Sequence, residues 1–163
     1  MILEHIILVY QGTYGTKYQK LYIPGLINKA MKLEAHYANL HESIEEIEEA
    51  IKKGIAKKQR TIGFHASAAA VDIYEIILHR KNLITSGFLV KHNWFAAKNK
   101  IKTKLPYDFP EKEEIIALIM SIEEERNKLC YGSPRSEEEI KKVIENFNKL
   151  KIKFRAMGYE NEL

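Results

Sequence analysis

The chain has 163 residues, of which 45% are hydrophobic, and this is enough for one domain whose core needs neither a metal nor a disulfide. The single cysteine, Cys130, excludes an intramolecular disulfide framework and a multi-cysteine metal site, and it fits a reducing cytoplasm. The formal net charge of +4 permits an anionic partner such as RNA or a nucleotide without requiring one.

Residues 1–25 are predicted to form an N-terminal arm, with a short hairpin of residues 4–11 and 16–23 as the preferred structure. Tyrosines recur at every fourth position of this arm, and they can pack on the protein, contact a partner chain or stack on bases; they are Tyr10, Tyr14, Tyr18 and Tyr22. The apolar run at 6–10 is too short to span a membrane and lacks the features of an export signal. We therefore expect a cytoplasmic protein without a membrane partner.

A long amphipathic helix is predicted from residue 26, because apolar residues recur at steps of three and four. These residues are Ala30, Leu33, Tyr37, Leu40, Ile44, Ile47 and Ile51. The helix should end at Lys53, with Gly54 as the residue after its last turn. A basic cluster follows, which is either a solvated linker or a surface that tracks phosphates; it contains Lys52, Lys53, Lys57, Lys58 and Arg60.

The next helix, from a cap at Thr61 to about residue 81, is apolar on nearly every side and is predicted to be the central one. A titratable stripe of His65, Asp72 and His79 runs along it, with Glu75 nearby. Seven residues of helix span about 10.5 Å, so these residues cannot share one ion, and we predict no metal site and no cofactor. The stripe either reaches solvent between helices or supplies a counterion to an arginine.

Residues 82–110 are predicted to contain loops and a short helix at about 91–101, with the Trp94–Phe95 pair as a core anchor. Four lysines alternate after this pair and would line one edge of an extended segment; they are Lys98, Lys100, Lys102 and Lys104. Pro110 should open a helix over 111–129. The final helix is predicted over 137–157.

The junction between the last two helices carries the main functional signal. Arg126 lies on the apolar stripe of its helix, which is formed by Ile115, Ile119, Ile122 and Leu129. A buried arginine needs an anion, and the candidates are Asp72, Glu75 or a bound phosphate. Gly132 and Pro134 stop the helix, and Ser136 with Glu139 forms a capping box for the next one.

The sequence resembles the HEPN superfamily, the higher-eukaryote and prokaryote nucleotide-binding domain. The resemblance covers residues 26–158 and is carried by Arg126, Asn127, Tyr131 and Gly132 at the end of one helix, followed by an acidic start of the next. It implies an up-and-down bundle that dimerises about the motif helices. It also implies either a metal-independent ribonuclease or toxin, or a non-enzymatic partner of a minimal nucleotidyltransferase.

Active family members carry a histidine where this chain has Tyr131, Gly132 and Ser133. Tyrosine, with an ordinary pKa near 10, is a poor base, whereas histidine titrates near neutral pH. No catalytic residue is therefore assigned from the motif. An enzyme would need His65, His79 or His92 to replace the missing base.

We predict a single all-α domain over residues 1–163, a bundle of four to five helices that forms a homodimer. The leading predicted function is binding of RNA or a nucleotide phosphate. The chain could perform this function as one member of a toxin–antitoxin or defence-type pair. The predicted ligand-binding residues are Arg126, Asn127 and Tyr131, with Lys128 and Arg135 at the periphery. The alternatives are a non-catalytic structural or partner-binding module and a metal-independent ribonuclease.

Overall fold

A computed structural model of the chain describes residues 26–159, which form an all-α bundle. The predicted N-terminal arm lies outside the described residues. The helices are α1 (Leu26–Lys53), α2 (Gln59–Arg80), α3 (Lys98–Lys104), α4 (Lys112–Tyr131) and α5 (Glu137–Phe154). Short 3-10 turns precede α2 and α3, at Ile55–Lys58 and His92–Ala96, and a π-helical turn follows α5 at Arg155–Tyr159.

The four long helices run up and down. His36 of α1 meets Asp72 of α2, whereas Ser43 meets His65, so α1 and α2 are antiparallel. Helices α2 and α4 are antiparallel as well. Helices α4 and α5 are also antiparallel, because Asn146 donates to Ser121 and Lys153 pairs with Glu111. Helix α2 contacts α1, α4 and α5, which confirms its prediction as the central helix.

Helix α2 is apolar enough, together with the turn before it, to cross a membrane by length and composition. However, 78% of that apolar window is buried inside the bundle. The apolar surface of α2 is therefore covered by protein, as expected for a core helix.

The buried face of α1 is rotated relative to the predicted apolar stripe. Its buried positions are His36, Leu40, Ser43, Ile47 and Ala50, whereas Ile51 is exposed. Polar residues that the pattern did not count as core therefore face α2. The end of the helix is as predicted, because Gly54 has φ 100°, a left-handed conformation that favours glycine.

Several predicted helix boundaries are wrong. Helix α2 begins at Gln59, so Thr61 lies inside it and is not its cap. Glu111 has φ 64° and precedes α4, so Pro110 lies in the turn before that helix. The predicted helix at 91–101 is split between a 3-10 turn and α3, and the alternating lysines are helical and do not form an extended edge.

The capping box of α5 is confirmed: the Ser136 side chain accepts from the Glu139 backbone, and the Glu139 carboxylate accepts from Ser136. Phe95 is fully buried against Tyr74, with ring centroids 5.3 Å apart, which confirms it as a core anchor. This anchor fixes the segment that begins at Val90 against α2. The segment forms one wall of the candidate site.

Candidate functional site

A cleft of about 450 Å³ lies between α2, residues 90–93 and α4. Arg126 of α4 lines it together with Lys91, His92 and Asn93 of the connecting segment. The α2 wall is made of Phe64, Ser67, Ala68, Val71 and Asp72. The cleft therefore brings an arginine, a lysine and a histidine together beside an aromatic side chain.

Glu123 organises the polar side of this cleft. Its carboxylate is buried and accepts the Ser67 hydroxyl at 2.6 Å and His92 Nδ1–H at 2.7 Å. The His92 side chain is 45% exposed, whereas that of Glu123 is only 5% exposed. Because Glu123 holds Nδ1, the nitrogen left for a ligand is Nε2. We refer to Ser67, His92 and Glu123 as the cleft cluster.

A second group of polar side chains lies between α1 and α2. His36 Nδ1 is 2.8 Å from Asp72 Oδ1 and 3.1 Å from Glu75 Oε2, and all three residues are buried. Burial raises the pKa of Asp72, an effect that its hydrogen bond to His36 opposes. We refer to His36, Asp72 and Glu75 as the buried cluster.

The two clusters hold the segment between α2 and α3 at adjacent points. Glu75 Oε1 accepts the Val90 backbone N–H at 2.6 Å, and Glu123 holds His92 two residues later. Both carboxylates are buried, so these hydrogen bonds are shielded from competition with water. They place Lys91 and His92 at the rim of the cleft, where both are exposed.

Arg126 is half-buried, and within residues 26–159 no carboxylate lies within ion-pair distance of it. The predicted pair with Asp72 or Glu75 is not formed; His36 contacts both carboxylates instead. Arg126 Nη1 donates to Asn127 Oδ1 at 3.2 Å, and its guanidinium carbon lies 5.9 Å from the centroid of the Tyr131 ring. Neither contact neutralises the arginine.

The other predicted ligand-binding residues are placed differently. Asn127 and the 74%-exposed Tyr131 contact Arg126 but do not line the cleft. Lys128 pairs with Glu125 at 2.9 Å, and Arg135 Nη1 lies 3.7 Å from Glu139. The structure thus brings Arg126 together with His92, and it leaves Lys128 and Arg135 outside the cleft.

Small and polar residues at every fourth position of α2 allow α4 to approach closely. Gln59 Nε2 donates to the Leu129 carbonyl at 3.1 Å. A Cβ on Gly63 would lie 2.8 Å from Leu129 Cβ and 3.3 Å from Cys130 Sγ. One turn later Ser67 reaches Glu123. This α2–α4 seam brings Glu123 and Arg126 against the cleft.

Cys130 is a buried residue of the same seam. Burial raises the pKa of its thiol, an effect that the charges of Arg126 and Arg60 oppose. The thiol is therefore protonated at neutral pH, and it is not a nucleophile in the manner of a reactive cysteine.

Sequence reasoning missed Glu123 because the residue stands in a run of three glutamates, Glu123–Glu125, which resembles a solvated face. Its signal was its position beside Ile122, one turn from Ile119 and on the edge of the apolar stripe. The buried cluster was missed because its histidine comes from a different helix.

Comparison with known proteins adds no assignment, because no family model, curated protein or solved structure matches the chain.

Proposed function

We propose that this chain binds RNA or a nucleotide phosphate in the cleft between α2 and α4. One observation carries the proposal: Arg126 lines the cleft without a carboxylate partner among the described residues, beside Lys91 and His92. A half-buried guanidinium is stabilised by a bidentate anion, and phosphate oxygens match its planar set of N–H donors.

The surface that leads to the cleft is basic as well. Arg60 is exposed on α2 one turn before Phe64, and Lys57 and Lys58 precede it in the 3-10 turn. Residues four apart share one face of a helix, so Arg60 continues the line of positive charge from the cleft rim. A nucleic acid backbone following this line would place successive phosphates on separate cations.

Phe64 supplies an element that a simple anion site does not need. It is 52% exposed on a helix that is otherwise largely buried, and it lines the same cleft as Arg126. Exposed aromatic rings beside cations are typical of surfaces on which bases of single-stranded nucleic acid stack. The arrangement therefore favours single-stranded RNA over an isolated phosphate ion.

The binding proposal is tested by fluorescence anisotropy with a labelled single-stranded RNA oligonucleotide at several salt concentrations. We expect Arg126→Ala to weaken binding roughly 10- to 100-fold, because a hydrogen bond to a charged group contributes about 1.5–3 kcal/mol. The slope of affinity against salt should also fall by about one. Arg155→Ala is the matched control, because Arg155 is an exposed arginine beyond the end of α5.

Equal losses in the two variants would show only a general charge effect. An unchanged affinity of a folded Arg126→Ala protein would overturn the proposal and favour the structural or partner-binding module.

A second candidate function, RNA cleavage without a metal, is favoured by the hydrogen bond between His92 and buried Glu123. With Glu123 ionised and accepting from Nδ1–H, the His92 Nε2 has a free lone pair, as a general base requires. His92 would take the proton of the ribose 2′-hydroxyl while the 2′-oxygen attacks phosphorus. The P–O5′ bond then breaks, and the 5′-oxygen takes a proton from water, giving a 2′,3′-cyclic phosphate.

In this reaction Arg126 would stabilise the negative charge that develops on the phosphorane oxygens. The assay is cleavage of RNA in EDTA, with an oligonucleotide carrying a single 2′-deoxyribose at the cleaved position as the control. Cleavage of the all-ribose strand and resistance of the modified linkage are expected. Binding without any cleavage would leave the binding function alone.

The HEPN-like assignment, a homodimer formed through α4 and a minimal nucleotidyltransferase partner remain predictions from the resemblance. They are independent of the cleft chemistry. Light scattering coupled to size-exclusion chromatography tests the dimer, and a monomer at micromolar concentration would contradict it.

A further inference from the structure

We propose that the buried cluster binds one divalent transition-metal ion between α1 and α2, with His36 Nδ1, one oxygen of Asp72 and one oxygen of Glu75 as protein ligands. These three ligand atoms all lie within 4.8 Å of one another. They come from two helices, so the ion would join the first two elements of the bundle.

The observed separations fit a first coordination shell. Ligands about 2.1 Å from a metal and at right angles to each other are about 3.0 Å apart. His36 Nδ1 lies 2.8 Å from the Asp72 oxygen and 3.1 Å from the Glu75 oxygen. The ion would take the place of the proton that lies between His36 Nδ1 and the carboxylates.

The donor set selects the class of ion. One imidazole nitrogen and two carboxylate oxygens suit Zn²⁺, Mn²⁺ or Fe²⁺, whereas Ca²⁺ requires six to eight oxygen ligands. The ring of His79 lies with its centroid 5.7 Å from that of His36, one helical turn beyond Glu75.

Two further features support the site. The second oxygen of Glu75 accepts the Val90 N–H, and such an outer hydrogen bond fixes the orientation of a ligating carboxylate. Asp72 also lines the cleft, which gives an ion a route from solvent and gives water access to the open coordination positions.

The test is titration of metal-free protein with Zn²⁺, and separately with Mn²⁺, followed by isothermal titration calorimetry. We expect one ion per chain. A raised melting temperature in Zn²⁺ relative to EDTA should accompany binding, since the ion binds only the folded chain.

Two matched variants separate this site from adventitious binding. Glu75→Gln is isosteric and keeps an oxygen for the Val90 N–H; we expect it to weaken Zn²⁺ binding at least about 100-fold, beyond the 10- to 100-fold typical of outer-shell changes. His41→Gln alters an exposed histidine of the same helix, five residues from His36, and should leave the affinity unchanged.

The proposal is overturned if the wild-type protein binds no stoichiometric ion at micromolar free Zn²⁺. Equal affinity of wild type and a folded Glu75→Gln protein would also overturn it, because the ion would then be held elsewhere. Because these measurements use the metal alone and the wild-type chain, failure of Glu75→Gln to fold would not remove the test. None of them depends on RNA binding in the cleft.

Discussion

The cleft cluster and the buried cluster each join a histidine to a buried carboxylate, and they differ in the exposure of the histidine. The His92 side chain is 45% exposed, whereas that of His36 is 7% exposed. Each histidine contacts buried carboxylate through Nδ1. Exposure therefore decides which ligands each cluster can receive: the cleft cluster can contact a polymer, whereas the buried cluster admits only an ion, a proton or water.

The two clusters lie close together because both are hydrogen-bonded to the segment that connects α2 and α3. The connecting segment is tied to the buried cluster at Val90 and to the cleft cluster at His92. A change in the geometry of Glu75 would move the backbone that carries Lys91. The two clusters thus share a structural support even though their proposed chemistry is separate.

The largest difference between the clusters should appear in catalysis. If the cleft cleaves RNA, His92→Gln should reduce the rate in EDTA by about 10²- to 10⁴-fold, the usual contribution of a general base, while RNA binding changes little. His36→Gln is the matched control for a histidine held by carboxylates, and its rate should stay close to wild type. Single-turnover cleavage with saturating protein measures both.

Comparable losses of cleavage rate in the two variants would contradict separate roles for the two clusters, because they would show that both histidines act through the stability of the fold. Circular dichroism of each variant distinguishes that case from a local effect on the cleft.

The next effect concerns the α2–α4 seam. The cleft cluster depends on this seam because Ser67 of α2 contacts Glu123 of α4, whereas the buried cluster joins α1 and α2. Gly63→Ala would place a Cβ 2.8 Å from Leu129 Cβ, and such overpacking destabilises a protein by about 1–3 kcal/mol. Gly87→Ala is the control, because within residues 26–159 no atom beyond its two chain neighbours lies within 4 Å of its Cβ position. Urea unfolding measures both changes, and equal midpoints would show that the seam adjusts without strain.

The smallest effect is a pH dependence of the buried cluster in EDTA. Burial raises the pKa of Asp72 in the folded state. A raised carboxyl pKa stabilises the fold while the group is protonated, and this contribution is lost as the pH rises through the folded pKa. Asp72→Asn should therefore raise the melting temperature more at pH 7 than near pH 4.

The shift at pH 7 should be a few degrees, since about 1 kcal/mol moves the melting temperature of a chain of this size by roughly 2–4 °C. Scanning calorimetry across this pH range tests the sign, and an Asp72→Asn effect that is larger at pH 4 would contradict it. Saturating Zn²⁺ should reverse the result at pH 7 if the metal site exists, because the variant loses a ligand.

The architecture could be read from the sequence because it rests on local, repeated signals. The steps of three and four in α1, the apolar content of α2 and the capping box at Ser136 each report on neighbouring residues, and the structure confirms these features. The predicted cap at Thr61 is wrong because α2 begins two residues earlier, at Gln59, whose side chain donates to the Leu129 carbonyl of α4. Tertiary contacts therefore set the start of α2.

The candidate site could be read only in part. The position of Arg126 on an apolar stripe pointed to an unusual charge, and His92 was one of three histidines considered. Its selection required the structure, because His92 and Glu123 are 31 residues apart and meet only after α2 and α4 pack. The assignment of Asp72 to Arg126 was wrong for the same reason: His36, on a third helix, lies closer.

Gln59 has a consequence for the order in which the bundle assembles. Its side chain donates to the Leu129 carbonyl and accepts the Arg135 backbone N–H at 2.8 Å, contacts that close loops of 70 and 76 residues. Ordering loops of this length opposes early contact, whereas α1 and α2 are adjacent in sequence and can pair first. The Arg135 amide should thus gain protection from hydrogen exchange only when the second half of the chain docks, and it offers a single-residue probe of that late step.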